Sequence, residues 1–165
     1  MIRFCSLGSG STGNATVVEA SGGITTTRLL IDAGFSLREL EIRLARAGLA
    51  PDELDAVFVT HEHGDHIGCA LALAERYRLA VWMSRGTWRA LGGAAPAPER
   101  LCFVRDGETV ALGDLELHRA QPIDAAHDRR VRRRQRLEQR QERPRRHRRL
   151  RLGMLDVRVG DGALP

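Results

Sequence analysis

Three histidines and one aspartate within six positions are the residues of this chain best suited to chemistry. The motif H-x-H-x-D-H supplies them as His61, His63, Asp65 and His66. Neutral imidazole nitrogens and carboxylate oxygens are the ligands that borderline divalent ions prefer. By chance this pattern should occur in a chain of this size in fewer than about one case in a thousand, which disfavours histidines that are merely solvated or packed in a core. The motif therefore predicts a metal site.

The spacing within the motif indicates how these residues can share ions. In an extended segment, His61 and His63 project to the same side of the backbone. Asp65 and His66 are adjacent at a predicted turn from strand to helix, where they can diverge towards a second ion. A zincin helix is excluded, because that motif needs a histidine at position 65 and this chain has Asp65.

Together with two other segments, this motif resembles a known family. H-x-H-x-D-H is the signature of the metallo-β-lactamase-fold hydrolases, and residues 6–15 and 30–34 are most similar to its YycJ-like branch, bacterial proteins regarded as DNA-processing nucleases. The resemblance extends over residues 1–128. It implies an α/β fold (α+β in some schemes), a metallo-β-lactamase αββα sandwich of which the chain holds the N-terminal half.

The resemblance also implies roles for single residues. His127 lies 66 residues beyond His61, close to where the branch places its third metal-binding histidine. By this likeness His61, His63 and His127 hold one divalent ion, and Asp65 and His66 hold a second. Asp65 is in addition the expected general base that orients the attacking water. The implied reaction is hydrolysis of DNA phosphodiesters by a metal-activated hydroxide, with zinc expected first and manganese as the alternative.

The elements that must position the motif follow from hydrophobic periodicity. Before the motif, strands are predicted at residues 2–7, 15–19, 27–32 and 55–60, and a helix is predicted from the capping box Ser36–Glu39 to Gly48. The apolar face of that helix is predicted from five residues, Leu37, Leu40, Ile42, Leu44 and Ala47. After the motif, helices are predicted at 67–77 and 84–91, a strand at 79–83, and a meander of short strands at 101–104, 109–112 and 115–119 in a second sheet.

Three further features have competing explanations. Gly8-x-Gly10-x-x-Gly13 matches a dinucleotide-binding fingerprint, but a β-branched run follows it where that fingerprint needs a helix, so a tight turn is favoured. Asp32 is explained equally well as a turn former and as a functional carboxylate. Trp82 and Trp88 could stack a nucleobase, although buried aromatic residues are the commoner explanation.

Length and composition favour a single domain in a reducing compartment. A chain of 165 residues can bury one moderate core. No apolar run approaches the ~18 residues of a membrane span, so we expect no membrane association and a cytoplasmic protein. The three cysteines, Cys5, Cys69 and Cys102, are widely spaced, which favours reduced structural thiols over disulfides. The oligomeric state is left open.

The chain changes character at residue 129. Residues 1–128 carry 12 arginines and 17 acidic residues, whereas residues 129–165 carry 14 arginines and 4 acidic residues. Residues 129–152 show no strand alternation and almost no apolar face, so they are predicted not to pack against a sheet. It is either an arginine-rich arm that binds nucleic acid or the product of a frameshift near residue 129, which we favour.

The family resemblance gives that change a functional consequence. The family also needs an acid that bridges both ions and a further histidine, and Asp156 and Asp161 lie in no matching motif. We therefore divide the chain into an incomplete metallo-β-lactamase-like domain, 1–128, and a disordered or frameshifted tail, 129–165. The alternative to an active hydrolase is a truncated fragment that binds metal or nucleic acid without turnover.

Overall fold

A computed structural model of the chain describes residues 1–93, 97–119, 149–152 and 155–159. Within these ranges the chain forms ten strands and four α-helices. The strands are β1 (Ile2–Gly8), β2 (Ala15–Ser21), β3 (Thr26–Ile31), β4 (Ala56–Phe58), β5 (Ala80–Met83), β6 (Leu101–Phe103), β7 (Thr109–Leu112), β8 (Leu115–Arg119), β9 (Arg149–Leu152) and β10 (Leu155–Val159). The helices are α1 (Leu37–Arg46), α2 (Gly64–Ile67), α3 (Ala70–Tyr77) and α4 (Arg85–Ala90). None of the helices in these ranges has the length and apolarity needed to cross a membrane.

The first sheet has the order β1-β2-β3-β4-β5-β6. Strands β1 to β3 pair antiparallel, whereas β3 to β6 pair parallel. Parallel strands end at the same edge of a sheet, so the residues that follow β3, β4, β5 and β6 lie side by side. The prediction that residues 101–104 belong to the second sheet is wrong, because Val81 pairs with Leu101 in the first sheet.

The second sheet is antiparallel and has the order β7-β8-β10-β9. Val110 pairs with Leu117, which in turn pairs with Val157 of β10. The prediction that residues 129–152 cannot pack against a sheet is wrong for β9, which pairs with β10. Strand β10 alternates in turn: Leu155 and Val157 are both buried, a spacing of two that puts them on one face of a strand. The domain boundary at residue 128 stays a prediction, because residues 120–148 lie outside the described ranges.

Two apolar cores divide the molecule into layers of helices, first sheet and second sheet. Leu30 and Val57 face the helices, where they pack with Leu40 of α1 and Leu73 of α3. The alternate residues of the same strands form the second core against the second sheet: Val18, Leu29 and Phe58 with Leu115, Leu117 and Val157. The α/β class and the layering predicted from the resemblance to an αββα half-sandwich are confirmed.

Helix α1 begins where the capping signal predicted. Ser36 Oγ accepts a hydrogen bond from the Glu39 amide at 3.3 Å, although the Glu39 carboxylate pairs with Arg43 instead of closing the capping box. Leu40 is buried, but Ile42 is 38% exposed, so its placement on the apolar face is wrong. The reason is geometric, since two residues along an α-helix rotate a side chain by about 200°.

Strand β1 forms one edge of the described part of the first sheet. Phe4 pairs with Val18, so its side chain points to the same face as that buried valine. Phe4 is nevertheless 64% exposed. The apolar layer between the sheets therefore reaches the molecular surface at β1.

Candidate metal centre

The four clustered residues predicted as ligands lie together after the carboxyl end of β4. The ring centroids of His61 and His63 are 4.8 Å apart, and those of His61 and His66 are 3.9 Å apart. Asp65 Oδ2 lies 3.5 Å from His66 Nε2. The fifth predicted ligand, His127, lies outside the described residues. Among the described residues, no three His, Cys, Asp or Glu side chains already surround one common ion position.

Asp32, which directly follows β3, holds the cluster in place through hydrogen bonds with Thr60 and His66. Its carboxylate is only 6% exposed and accepts hydrogen bonds from the Thr60 amide at 2.8 Å and from the Thr60 hydroxyl at 2.9 Å. Its Oδ2 also lies 2.7 Å from His66 Nδ1. Asp32 adopts a φ of 58°, a left-handed conformation that aspartate tolerates better than most residues. Of the two explanations left open from the sequence, this geometry favours the functional carboxylate.

The hydrogen bonds around Asp32 fix the tautomers of two histidines. A carboxylate can only accept, so His66 Nδ1 carries the proton and donates it to Asp32. The Thr60 hydroxyl gives its one proton to Asp32 and therefore accepts from His61 Nδ1, 2.9 Å away. In their neutral forms both rings therefore carry the lone pair on Nε2, which is the form that binds a metal ion.

The protonation state of His61 agrees with that assignment. Burial and the neighbouring His66 lower the pKa of His61, and the opposing attraction of Asp32 is weaker. The neutral imidazole is therefore favoured at neutral pH. Neutral imidazole is also the state in which histidine ligates a cation.

Asn14 ties the glycine-containing loop to the cluster. Its side-chain Nδ2 donates to Asp65 Oδ2 at 3.0 Å and lies 3.2 Å from His66 Nε2. Its backbone amide donates to the Asp65 carbonyl at 2.8 Å. The loop before Asn14 leads into strand β2 instead of a helix, and the Gly13 amide donates to the Gly10 carbonyl at 3.1 Å, so the predicted tight turn is confirmed.

Gly34 and Gly68 lie where the segment after β3 touches the segment that carries the predicted ligands, with no room for a side chain between the two backbones. A Cβ on Gly34 would collide with the Asp65 carbonyl, and one on Gly68 would collide with the Ala33 carbonyl. The Ala33 amide donates to the His66 carbonyl at 2.8 Å. Gly68 also separates α2 from α3, so the single helix predicted at 67–77 is wrong at its first turn. The crossing holds the ligand loop against the end of β3.

Comparison with known proteins places these features in a family context. The family model described as the Metallo-beta-lactamase superfamily matches residues 8–147. The exodeoxyribonuclease WalJ of Streptococcus pneumoniae (strain D39) is 32% identical over 120 residues, which are 70% of this chain and 43% of that protein. The exodeoxyribonuclease YycJ of Bacillus anthracis is 35% identical over 119 residues, again 70% of this chain and 43% of that protein. The chain therefore spans less than half the length of these relatives.

Solved structures support the same fold. The Rm3 metallo-beta-lactamase superposes with a TM-score of 0.55 at 19% identity, covering 71% of this chain and 48% of that one. A structure titled as a peroxy diiron species of the chemotaxis sensor ODP superposes with a TM-score of 0.56 at 17% identity, covering 76% of this chain and 51% of that one. At these identities the likeness concerns the fold alone.

Proposed function

The chain belongs to the metallo-beta-lactamase superfamily, and on that premise we propose that it is a metal-dependent hydrolase of DNA phosphodiesters. The observation that carries the proposal is the cluster of His61, His63, Asp65 and His66 above the buried carboxylate of Asp32. DNA is favoured as substrate because two relatives are named exodeoxyribonucleases.

The donor chemistry of the cluster fits divalent ions. In their neutral forms His61 and His66 carry the lone pair on Nε2, and Asp65 adds a carboxylate; an ion on His66 would replace the contact of its Nε2 with Asn14 Nδ2. We propose that His61, His63 and His127 hold one ion and that Asp65 and His66 hold a second, with zinc before manganese. Such ions, when bound, supply a nucleophile at neutral pH and offset negative charge on the phosphate.

The residues of the chain perform the remaining steps. Asp65 is the group that we assign to orient the attacking water and to accept its proton. Asn14 Nδ2 donates to Asp65 Oδ2, so Oδ1 is the oxygen left for the proton. Asp32 holds the His66 ring by its Nδ1, which keeps Nε2 pointed away from the sheet edge that carries Asp32.

The test is hydrolysis of linear DNA by the purified protein loaded with zinc or with manganese. We expect turnover that a chelator abolishes and that added metal restores. His61→Ala and His63→Ala should each abolish turnover and tight metal binding. His118→Ala is the matched control, because His118 lies on β8 and bonds to Thr109. Turnover that survives the chelator, or an unchanged metal stoichiometry in the His61 and His63 variants, would contradict the proposal.

The second candidate is a binding fragment without turnover. It is favoured by coverage of only 43% of the length of the two relatives. In that case the same assay should give salt-sensitive DNA binding or retained metal but no product. Product formation that depends on added metal would exclude it.

A further inference from the structure

A cleft of about 640 Å³ opens at the carboxyl ends of β5 and β6. Its lining includes three arginines, Arg85, Arg105 and Arg119, together with the ring of Phe103. None of the predicted metal ligands among the described residues lines it. The cleft is therefore a separate, arginine-lined feature that the proposed chemistry does not use.

The cleft lies on the same edge of the first sheet as the histidine cluster. Arg85 follows the end of β5, and Arg105 follows the end of β6. The Val59 amide bonds to the Trp82 carbonyl at 2.8 Å, and the Val104 amide bonds to the Met83 carbonyl at 3.0 Å, so these three strand ends are in register. Neighbouring strands are about 4.8 Å apart, so the cleft begins about 5 to 10 Å along the edge from the end of β4.

Arg119 is the residue that indicates a ligand. It is only 8% exposed, and its Nε forms an ion pair with Asp106 Oδ1 at 2.8 Å. Among the described residues, its buried Nη1 has no hydrogen-bond acceptor. A buried guanidinium without its full set of acceptors is destabilising. An anion in the cleft could supply the hydrogen-bond acceptor that Arg119 Nη1 lacks.

The other two arginines leave their charge available. The Arg85 guanidinium stacks over Phe103, 4.6 Å from the ring centroid. This contact orients the guanidinium but leaves its positive charge unneutralised. Within the described ranges, neither Arg85 nor Arg105 makes an ion pair with a carboxylate. Of the two acids in the lining, Asp106 pairs with Arg119, whereas Glu108 accepts from the Arg105 backbone amide at 2.7 Å and keeps its charge, so the three arginines leave the lining with a net positive charge.

We propose that this cleft binds backbone phosphates of the DNA strand. Arginine matches phosphate oxygens through parallel N–H donors, and phosphate contacts position a strand without reading its sequence. Because the cleft begins about 5 to 10 Å along the sheet edge from the end of β4, it would hold phosphates close to the bond to be cleaved. The identity of the ligand as DNA rests on the proposed function.

The experiment measures binding of a fluorescein-labelled oligothymidylate to the full chain, in chelator, over a series of salt concentrations. Arg85→Gln and Arg105→Gln each remove one charge from the lining. Arg89→Gln is the matched control, because Arg89 is an exposed arginine on α4 that does not line the cleft. All four proteins keep the same arginine-rich segment after residue 129, so its contribution to binding cancels in the comparison.

We expect each cleft variant to bind roughly three- to tenfold more weakly at low salt. Its salt dependence should also fall, with a slope lower by about 0.7 for each lost phosphate contact to a single strand. Arg89→Gln should change neither quantity by a comparable amount. Equal effects in the cleft variants and the control, or no binding by the unaltered chain, would overturn the proposal.

Failure of this inference is distinguishable from failure of the proposed function. Binding is measured without metal and needs no turnover, whereas the hydrolase proposal depends on product formed with metal. Selective weakening in the cleft variants without any turnover would support the cleft and contradict the hydrolase. Metal-dependent turnover with no selective weakening would support the hydrolase and contradict the cleft.

Discussion

Replacing Asp32 with asparagine should weaken metal binding although residue 32 is not itself assigned as a ligand. Asp32→Asn keeps the shape of the side chain, and asparagine tolerates the left-handed φ of 58° as readily as aspartate. The amide oxygen can still accept from the Thr60 amide. The amide nitrogen, however, would face His66 Nδ1, which donates a proton to Asp32 Oδ2 at 2.7 Å.

The magnitude follows from that single mismatch. Two donors cannot share a hydrogen bond, so His66 must turn away or move its proton to Nε2, the nitrogen that we assign to the ion. Loss of such a supporting carboxylate typically lowers metal affinity about 10- to 100-fold. Loss of one hydrogen bond to a buried charge should also lower the free energy of unfolding by about 1.5 to 3 kcal/mol.

Two measurements separate these effects. Competition with a chromophoric zinc chelator gives the metal affinity, and urea unfolding in the presence of a chelator gives the stability without metal. Asp55→Asn is the control, because Asp55 also accepts a backbone hydrogen bond, from the Arg28 amide at 2.6 Å, but contacts no histidine among the described residues. We expect Asp55→Asn to leave the zinc affinity unchanged.

The result that would refute this reasoning is an Asp32→Asn protein with the zinc affinity of the unaltered chain. That outcome would mean that the proton on His66 Nδ1 does not determine how Nε2 is presented. A loss of affinity equal to that of Asp55→Asn would refute it as well, because the effect would then come from general destabilisation.

Two further predictions concern backbone packing and thiol reactivity. Gly34→Ala should lower the free energy of unfolding by about 3 kcal/mol or more, because its Cβ would overlap the Asp65 carbonyl. Gly64→Ala is the control, because open space surrounds that position, and it should change the free energy of unfolding by less than about 0.5 kcal/mol. Urea unfolding measures both values. An equal cost for both would contradict the close crossing at Gly34. Burial raises the pKa of Cys69 to about 11, so near pH 8 only about one thiol in a thousand is the reactive thiolate. A disulfide reagent should therefore modify the exposed Cys5 first and Cys69 only on unfolding; mass spectrometry showing early labelling at Cys69 would contradict this.

Local pattern predicted the elements that surround the site but not all of their partners. The apolar and β-branched runs of β2 and β3 and the Ser36 cap depend on neighbours in sequence, so these elements were predictable. The sequence of the three-residue strand β6 does not show which sheet it joins, because that depends on its pairing with β5. Residues 155–159 alternate between apolar and charged side chains, as a strand does, but they lie within the arginine-rich segment that was interpreted as a tail.

The same distinction holds for the candidate site. The H-x-H-x-D-H motif is contiguous, and its grouping in space was predictable from the spacing. Asp32 bonds to a histidine 34 residues away, and Asn14 bonds to an aspartate 51 residues away, so their roles needed the fold. An apolar strand that ends in an aspartate before Ala33-Gly34 is the signal that could have pointed to Asp32. The assignment of His127 and the frameshift near residue 129 stay predictions, and the coding DNA would test the second.

The exposed Phe4 on strand β1 affects how the protein will behave when it is concentrated. No described strand pairs with the outer side of β1, so its backbone amides and carbonyls can add a strand from another molecule. An aromatic ring beside that open edge gives such an encounter an apolar contact as well. Self-association through β1 would remove material from solution as the concentration rises, and assays of binding and turnover therefore belong at low protein concentration.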